Sequence, residues 1–128
     1  MKNLNTTALA YMGDAVYECY IRLHVLQSGK VNVDVLHKTA VKYVRAEGQA
    51  TALKKIFDTL STEEQALVKR ARNRKIVSKP KNADPVTYKM ATAFEALIGD
   101  LYLTGRRERL EELIEKAINA IDSEVDHE

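Results

Sequence analysis

Apolar residues recur at helical spacing along almost the whole chain, and no segment of useful length alternates with the period of a strand. Leu4, Leu9, Met12, Val16, Tyr20 and Leu23 return at steps of three to five residues, which predicts a first helix reaching about Leu26. Asn5, Thr6 or Thr7 can cap its start, and Ser28-Gly29 ends it. Val35, Leu36, Ala40 and Tyr43 form a stripe in a second helix over 33–46. Gly48 marks a break before a short third helix over 49–59. Ser61 and Glu64 stand at capping-box spacing and open a fourth helix, which carries Ala66, Leu67 and Val68 into a basic stretch. Residues 76–83 read as a loop, because Ser78, Pro80 and Asn82 are poor in helix interiors. Asp84-Pro85 is an N-cap followed by proline in the first turn of a fifth helix, which passes Glu95 and stops at Thr104-Gly105. Leu110, Leu113, Ile114, Ala117 and Ile121 line one face of a sixth helix over 107–121, leaving 122–128 as an acidic tail. The expected fold is all-α, one domain over 1–128 built from about six helices.

With 128 residues, the chain is long enough to bury a core, and 45% hydrophobic against 30% charged residues excludes a disordered polymer. No apolar run approaches the roughly 18–20 residues that cross a bilayer, and the start lacks the apolar core of a secretory signal. Cys19 is the single cysteine and has no partner for an internal disulfide, which fits the cytoplasm; it is expected to be a small buried side chain. The net charge of +2 conceals a strong asymmetry. Residues 69–81 hold seven basic side chains (Lys69, Arg70, Arg72, Arg74, Lys75, Lys79 and Lys81) and no acid, whereas 104–128 hold four basic and eight acidic ones. Such a patch steers and holds a polyanion, unless it is simply a solvated helix end. No aromatic interleaves with it, which favours backbone contacts to a duplex over base stacking on a single strand.

Two acids stand inside otherwise apolar helical segments. Asp14 lies in Leu9-Ala10-Tyr11-Met12-Gly13-Asp14-Ala15-Val16-Tyr17-Glu18, and Glu95 in Phe94-Glu95-Ala96-Leu97-Ile98-Gly99-Asp100-Leu101-Tyr102-Leu103. A carboxylate on the buried side of a helix is costly without a cation, a hydrogen-bond donor or a metal. Two such segments far apart in sequence point to one site assembled by folding. Oxygen-only ligands suit Mg²⁺ or Mn²⁺, although Asp14 can also be a structural acceptor of N–H groups. Glu18 shares a helix face with Asp14, but Arg22 stands four residues further on as a plain ion-pair partner. Thr92 shares a face with Glu95, and Asp100 points away from it. His24, His37 and His127 form no zinc-like spacing with Cys19, and glycine-rich phosphate loops, GxSxG and paired CxxC motifs are absent.

The segment Leu9–Glu18 resembles the signature helix of the ribonuclease III catalytic domain, and Phe94–Leu103 is similar to the second acidic helix of that family. Tyr-Met-Gly-Asp and Glu-Ala-Leu-Ile-Gly together carry the resemblance, which covers nearly the whole chain. Without an appended double-stranded-RNA-binding domain, the chain looks like the family's Mini branch. The resemblance implies a homodimeric, Mg²⁺-dependent endonuclease for double-stranded RNA that leaves 5′-phosphate ends and matures precursor 23S ribosomal RNA. It implies Asp14 as the catalytic aspartate and Glu95 as the metal-binding glutamate. Where longer relatives carry two more acids, this chain has Ala10 and Thr92, so the implied site is sparse; the Thr92 hydroxyl could hold a water near the cation. Two other readings stand beside it: a non-catalytic helical module that binds double-stranded RNA or the ribosome, and a helical adaptor whose basic loop takes an acidic partner.

Overall fold

Asn5 opens the first helix, its side-chain oxygen accepting the Ala8 N–H at 2.8 Å. In the computed structural model, which describes residues 4–74 and 81–125, α1 spans Thr6–Leu26. Its buried stripe is Leu9, Ala10, Gly13, Val16, Tyr17, Ile21 and Val25. This seam is offset from the expected one, and Leu4 and Leu23 stay exposed. The offset has a steric cause, since the small residues Ala10 and Gly13 are where another helix can approach closely. Cys19 is exposed, against expectation. It lies two residues from both Tyr17 and Ile21, about 200° around the helix from these core side chains.

The second helix, α2, spans Val33–Val44, and α3 spans Ala46–Ile56. The break between them falls at Arg45, whose ψ of 157° is extended, and not at Gly48. Gly48 lies inside α3, where a Cβ would collide with the Lys42 carbonyl oxygen. The glycine thus serves a tight helix–helix corner rather than a turn. A short 3₁₀ turn, Phe57–Thr59, leads to α4, Thr62–Arg72. Its capping box is complete: Ser61 Oγ accepts the Glu64 N–H at 3.1 Å, and Glu64 Oε1 accepts the Ser61 N–H at 2.8 Å.

Asp84 caps α5, Pro85–Leu103, by accepting the Thr87 N–H at 2.9 Å. Gly105, with a φ of 74°, allows the chain to turn so that the Arg106 N–H reaches the Leu101 carbonyl at 2.9 Å. The last helix, α6, spans Arg107–Val125. It continues past Ile121, so residues 122–125 are helical rather than a frayed tail. Asp122 accepts from the Tyr43 hydroxyl at 2.6 Å and pairs with Lys42 at 3.2 Å, and Glu124 pairs with Lys55 at 2.9 Å. These contacts tie the end of α6 to α2 and α3. Residues 126–128 of the expected tail lie outside the described residues.

The central helix is α5, packed against α1, α3 and α4, and no strand occurs among the described residues. It buries Ala93, Phe94, Ala96, Leu97, Ile98 and Leu101 completely, a spread of positions that leaves little of this stretch facing water. Each of the large side chains among them contributes about 2 kcal/mol by leaving water. Tyr17 of α1 meets Phe94 edge to face, with ring centroids 5.0 Å apart at 85°. The expected apolar face of α6 is buried at all five positions, Leu110, Leu113, Ile114, Ala117 and Ile121.

Candidate active site

Two glycines allow α1 and α5 to touch backbone to backbone. A Cβ on Gly13 would overlap the Glu95 carbonyl, and one on Gly99 would overlap the Leu9 carbonyl. This crossing sets Asp14, the residue after Gly13, beside Glu95. The two segments, far apart in sequence, are therefore brought together at this crossing. The two acids are not equally buried: Asp14 is exposed, and Glu95 is half-buried. Solvent relieves the charge on Asp14, while Glu95 carries the desolvation. Burial, reinforced by a hydrogen bond to Asp14 and by its charge, pushes the Glu95 carboxyl from the ordinary 4.5 up to about 8. The Gln49 amide opposes that rise. Of the two acids, Glu95 is thus the one that its surroundings push toward the protonated form.

A third helix reaches the pair. Gln49 of α3 is 2% exposed, and its Nε2 donates to Glu95 Oε2 at 3.3 Å and to the Val44 carbonyl at 2.8 Å. Its Oε1 is buried without a partner. Gln49 carried no signal in the sequence beyond being polar next to a glycine. Tyr17 borders the same region: its hydroxyl donates to the Tyr43 carbonyl at 3.0 Å, and burial, with Tyr43 and Glu95 nearby, raises its pKa.

The other candidates separate from this core. Glu18 is exposed and accepts from Arg22 at 3.4 Å, the plain pairing expected from their spacing. Thr92 is half-buried one turn before Glu95, and Ala10 is buried in the α1 seam. Asp100 is half-buried near Arg106 and Arg70, with a pKa that burial raises and these cations lower. His24 packs edge-on against Tyr43 at 5.5 Å, His37 is exposed, and His127 lies outside the described residues.

Lys69, Arg70 and Arg74 are exposed at the end of α4, Arg72 is half-buried, and Lys81 is exposed. Lys75 and Lys79 lie outside the described residues. Arg70, Asn73 and Arg74 face Leu4, Asn5 and Thr6 across a hollow of about 380 Å³ at the start of α1. The positive end of the α1 dipole adds to the two guanidinium groups there.

Among the described residues, no three or more His, Cys, Asp or Glu side chains are placed so that they could hold a metal ion together, so a fully protein-made metal cage is not present there. The Asp14–Glu95 pair has the chemistry of a hard-cation site all the same. Mg²⁺ commonly takes one or two carboxylates and keeps several waters, and two adjacent carboxyls from α1 and α5 match that need. Among the described residues, no helix is long and apolar enough to cross a membrane.

The family model described as Ribonuclease III domain matches residues 7–106, which includes both acids. The Mini-ribonuclease 3 of Thermoanaerobacter sp. (strain X514) is 44% identical over 120 residues, covering 94% of this chain and 84% of that protein. That of Brevibacillus brevis is 46% identical over 120 residues, with 94% and 90% covered. An X-ray crystal structure of a Fusobacterium nucleatum protein superposes with a TM-score of 0.83 at 33% identity, covering 98% of this chain and 94% of that one. With the family match running across the α1–α5 crossing and the Mini-ribonuclease 3 relatives matching most of their length, this chain belongs to the ribonuclease III family.

Proposed function

We propose that the chain is a Mg²⁺-dependent endoribonuclease for double-stranded RNA, with Asp14 and Glu95 as the residues that hold the cation. The observation that carries this reading is the Gly13–Gly99 crossing, which sets two carboxyls from distant segments side by side. Neither acid forms a salt bridge among the described residues. When bound, Mg²⁺ supplies charge neutralisation at the phosphate and lowers the pKa of a water; Mn²⁺ can substitute. Asp14 would offer its carboxyl oxygens from the solvent side, and Glu95 would give up its proton so that its oxygens become acceptors as well. The Thr92 hydroxyl can hold a water on the same face of α5. No protein nucleophile is required, and the products have 5′-phosphate and 3′-hydroxyl ends.

Duplex binding in this reading comes from Lys69, Arg70, Arg72, Arg74, Lys75, Lys79 and Lys81, with the hollow at the start of α1 seating a phosphate. Contacts of this kind read the shape of A-form RNA more than its bases. The proposed natural substrate is precursor 23S ribosomal RNA in the cytoplasm, following the family resemblance. The proposed assembly is a homodimer, which would set one site against each strand. Large side chains left in water support a partner surface: Tyr11 is 82% exposed, Val31 85% and Val33 75%.

The test is cleavage of duplex RNA with mapped product ends. Asp14→Asn and Glu95→Gln should each lower turnover with Mg²⁺ by roughly a thousandfold or more while duplex binding persists. Full turnover in both variants would overturn the assignment, and duplex binding without cleavage by the unaltered protein would favour a non-catalytic module. Replacing Arg70, Arg72 and Arg74 together should weaken binding and flatten its salt dependence by about 0.7 to 0.9 in slope per lost phosphate contact. An unchanged slope would place the patch off the RNA.

A further inference from the structure

Thr6, Gln49 and Glu64 are the buried polar side chains among the described residues. Glu64 has its cap and its arginine, whereas Gln49 has an unusual position. It stands in the first turn of α3, where the helix itself asks nothing of its side chain. One target of its amide is Val44, whose carbonyl closes α2 and loses its helical continuation at the Arg45 break. The other is Glu95 Oε2. The amide cannot be turned over, because Oε1 would then face the Val44 carbonyl, which only accepts. Its Oε1 is instead left buried and unpartnered. A glutamine kept with one orphaned oxygen is explained by what its nitrogen holds.

The backbone beneath Gln49 is rigid for a separate reason. Gly48 sits so close to the Lys42 carbonyl that a Cβ there would collide with it, so α2 and α3 meet at a tightly packed corner. A fixed corner and a fixed carbonyl leave the amide one orientation, and that orientation meets Glu95.

We infer that Gln49 is a positioning residue for the proposed cleavage, holding the Glu95 carboxyl in one orientation beside Asp14 so that the two acids are ready to receive a cation. This rests on the reading of Asp14 and Glu95 as the cation-holding pair. Groups that orient ligands in this manner typically change metal affinity or activity by about 10–100-fold when removed.

The experiment measures Mn²⁺ binding by electron paramagnetic resonance, without RNA, in the full chain carrying Gln49→Met, which keeps the volume and removes the amide. Mn²⁺ affinity should fall about 10–100-fold, and kcat on duplex RNA should fall comparably with KM nearly unchanged. A variant with native helix content that keeps both Mn²⁺ affinity and kcat would overturn the inference. Asp14→Asn and Glu95→Gln run in the same binding assay separate the two levels: if both keep Mn²⁺ affinity, the cation reading itself fails. If they lose it while Gln49→Met does not, only the role of Gln49 fails. Should Gln49→Met not fold, the unaltered protein answers by NMR. The Gln49 side-chain NH₂ signals should move on Mg²⁺ addition with the same midpoint as the Glu95 carboxyl carbon. Signals that stay in place while Glu95 moves would overturn the proposal.

Discussion

Glu64 and Glu95 sit on helices that pack together, and both are withdrawn from water, yet they end in opposite chemical states. Glu64 is met by Arg109 through Nε at 2.9 Å and a terminal nitrogen at 2.7 Å, by Arg106 at 3.8 Å, and by the Ser61 N–H at 2.8 Å. The Arg109 hydrogen bonds outweigh burial and hold its carboxyl down at about 2. Glu95 is met by another acid and one long amide hydrogen bond, so burial wins and its carboxyl rises to about 8. Burial alone therefore does not mark function. A buried acid whose acceptor capacity is filled by cations holds helices together, and one left short of cations has capacity to bind something.

The largest expected difference is in cleavage. Glu95→Gln should abolish it, whereas Glu64→Gln, assayed below its melting temperature, should retain turnover within a few-fold. Loss of turnover in a folded Glu64→Gln protein would show that this ion pair also shapes the site.

Stability should divide the other way. Glu64→Gln takes from Arg109, whose side chain is only 20% exposed, its buried partner and leaves it the exposed Glu112 alone as counter-charge, and should cost about 2 kcal/mol, or on the order of 10 °C in melting temperature. Glu95→Gln should stabilise the metal-free protein at pH 8 by on the order of 2 kcal/mol, because it removes a charge that burial disfavours. Equal destabilisation by both substitutions would break the distinction.

The pH dependences have opposite signs. Glu64, lowered from 4.5 to about 2, contributes stability that is present above pH 4.5 and is lost as pH falls toward 2. Glu95, raised from 4.5 to about 8, keeps its proton in the folded state after the unfolded state has released it. Metal-free stability therefore declines as pH rises from about 4.5 to 8 and is level beyond. Melting curves in chelator across this range should lose the alkaline slope in Glu95→Gln and part of the acid slope in Glu64→Gln. Mg²⁺, which competes with that proton, should stabilise more at pH 8 than at pH 6.

Much of this was legible in the chain because it depended on local patterns. The capping box at Ser61 and Glu64, the Asp84-Pro85 start and the α6 stripe follow from spacing, and all three are present in the fold. The pairing of Asp14 with Glu95 was legible from apolar surroundings and the family resemblance. What escaped was set by tertiary contact. Gly48 reads as a breaker by propensity, but close approach to Lys42 governs it. Glu64 reads as a cap, and nothing local announces Arg109, forty-five residues away. Gln49 becomes visible only once α2, α3 and α5 meet. The end of α6 reads as a tail because the groups that hold it, Lys42, Tyr43 and Lys55, come from α2 and α3.

Glu18 gives the smallest effect and the sharpest control. It lies one turn after Asp14 on α1, close enough in sequence to belong to the site, yet its Arg22 pair is exposed, at 49% and 71% for the two side chains. An exposed pair of this kind contributes about 0.5 kcal/mol or less, since water screens the charges and both side chains lose freedom. Glu18→Gln should leave cleavage and Mn²⁺ affinity within twofold and melting within about 2 °C. A tenfold loss of cleavage with stability unchanged would mean that a solvent-facing acid already satisfied by arginine acts in catalysis. Cation supply would then no longer separate the acids that hold the fold from those that do chemistry.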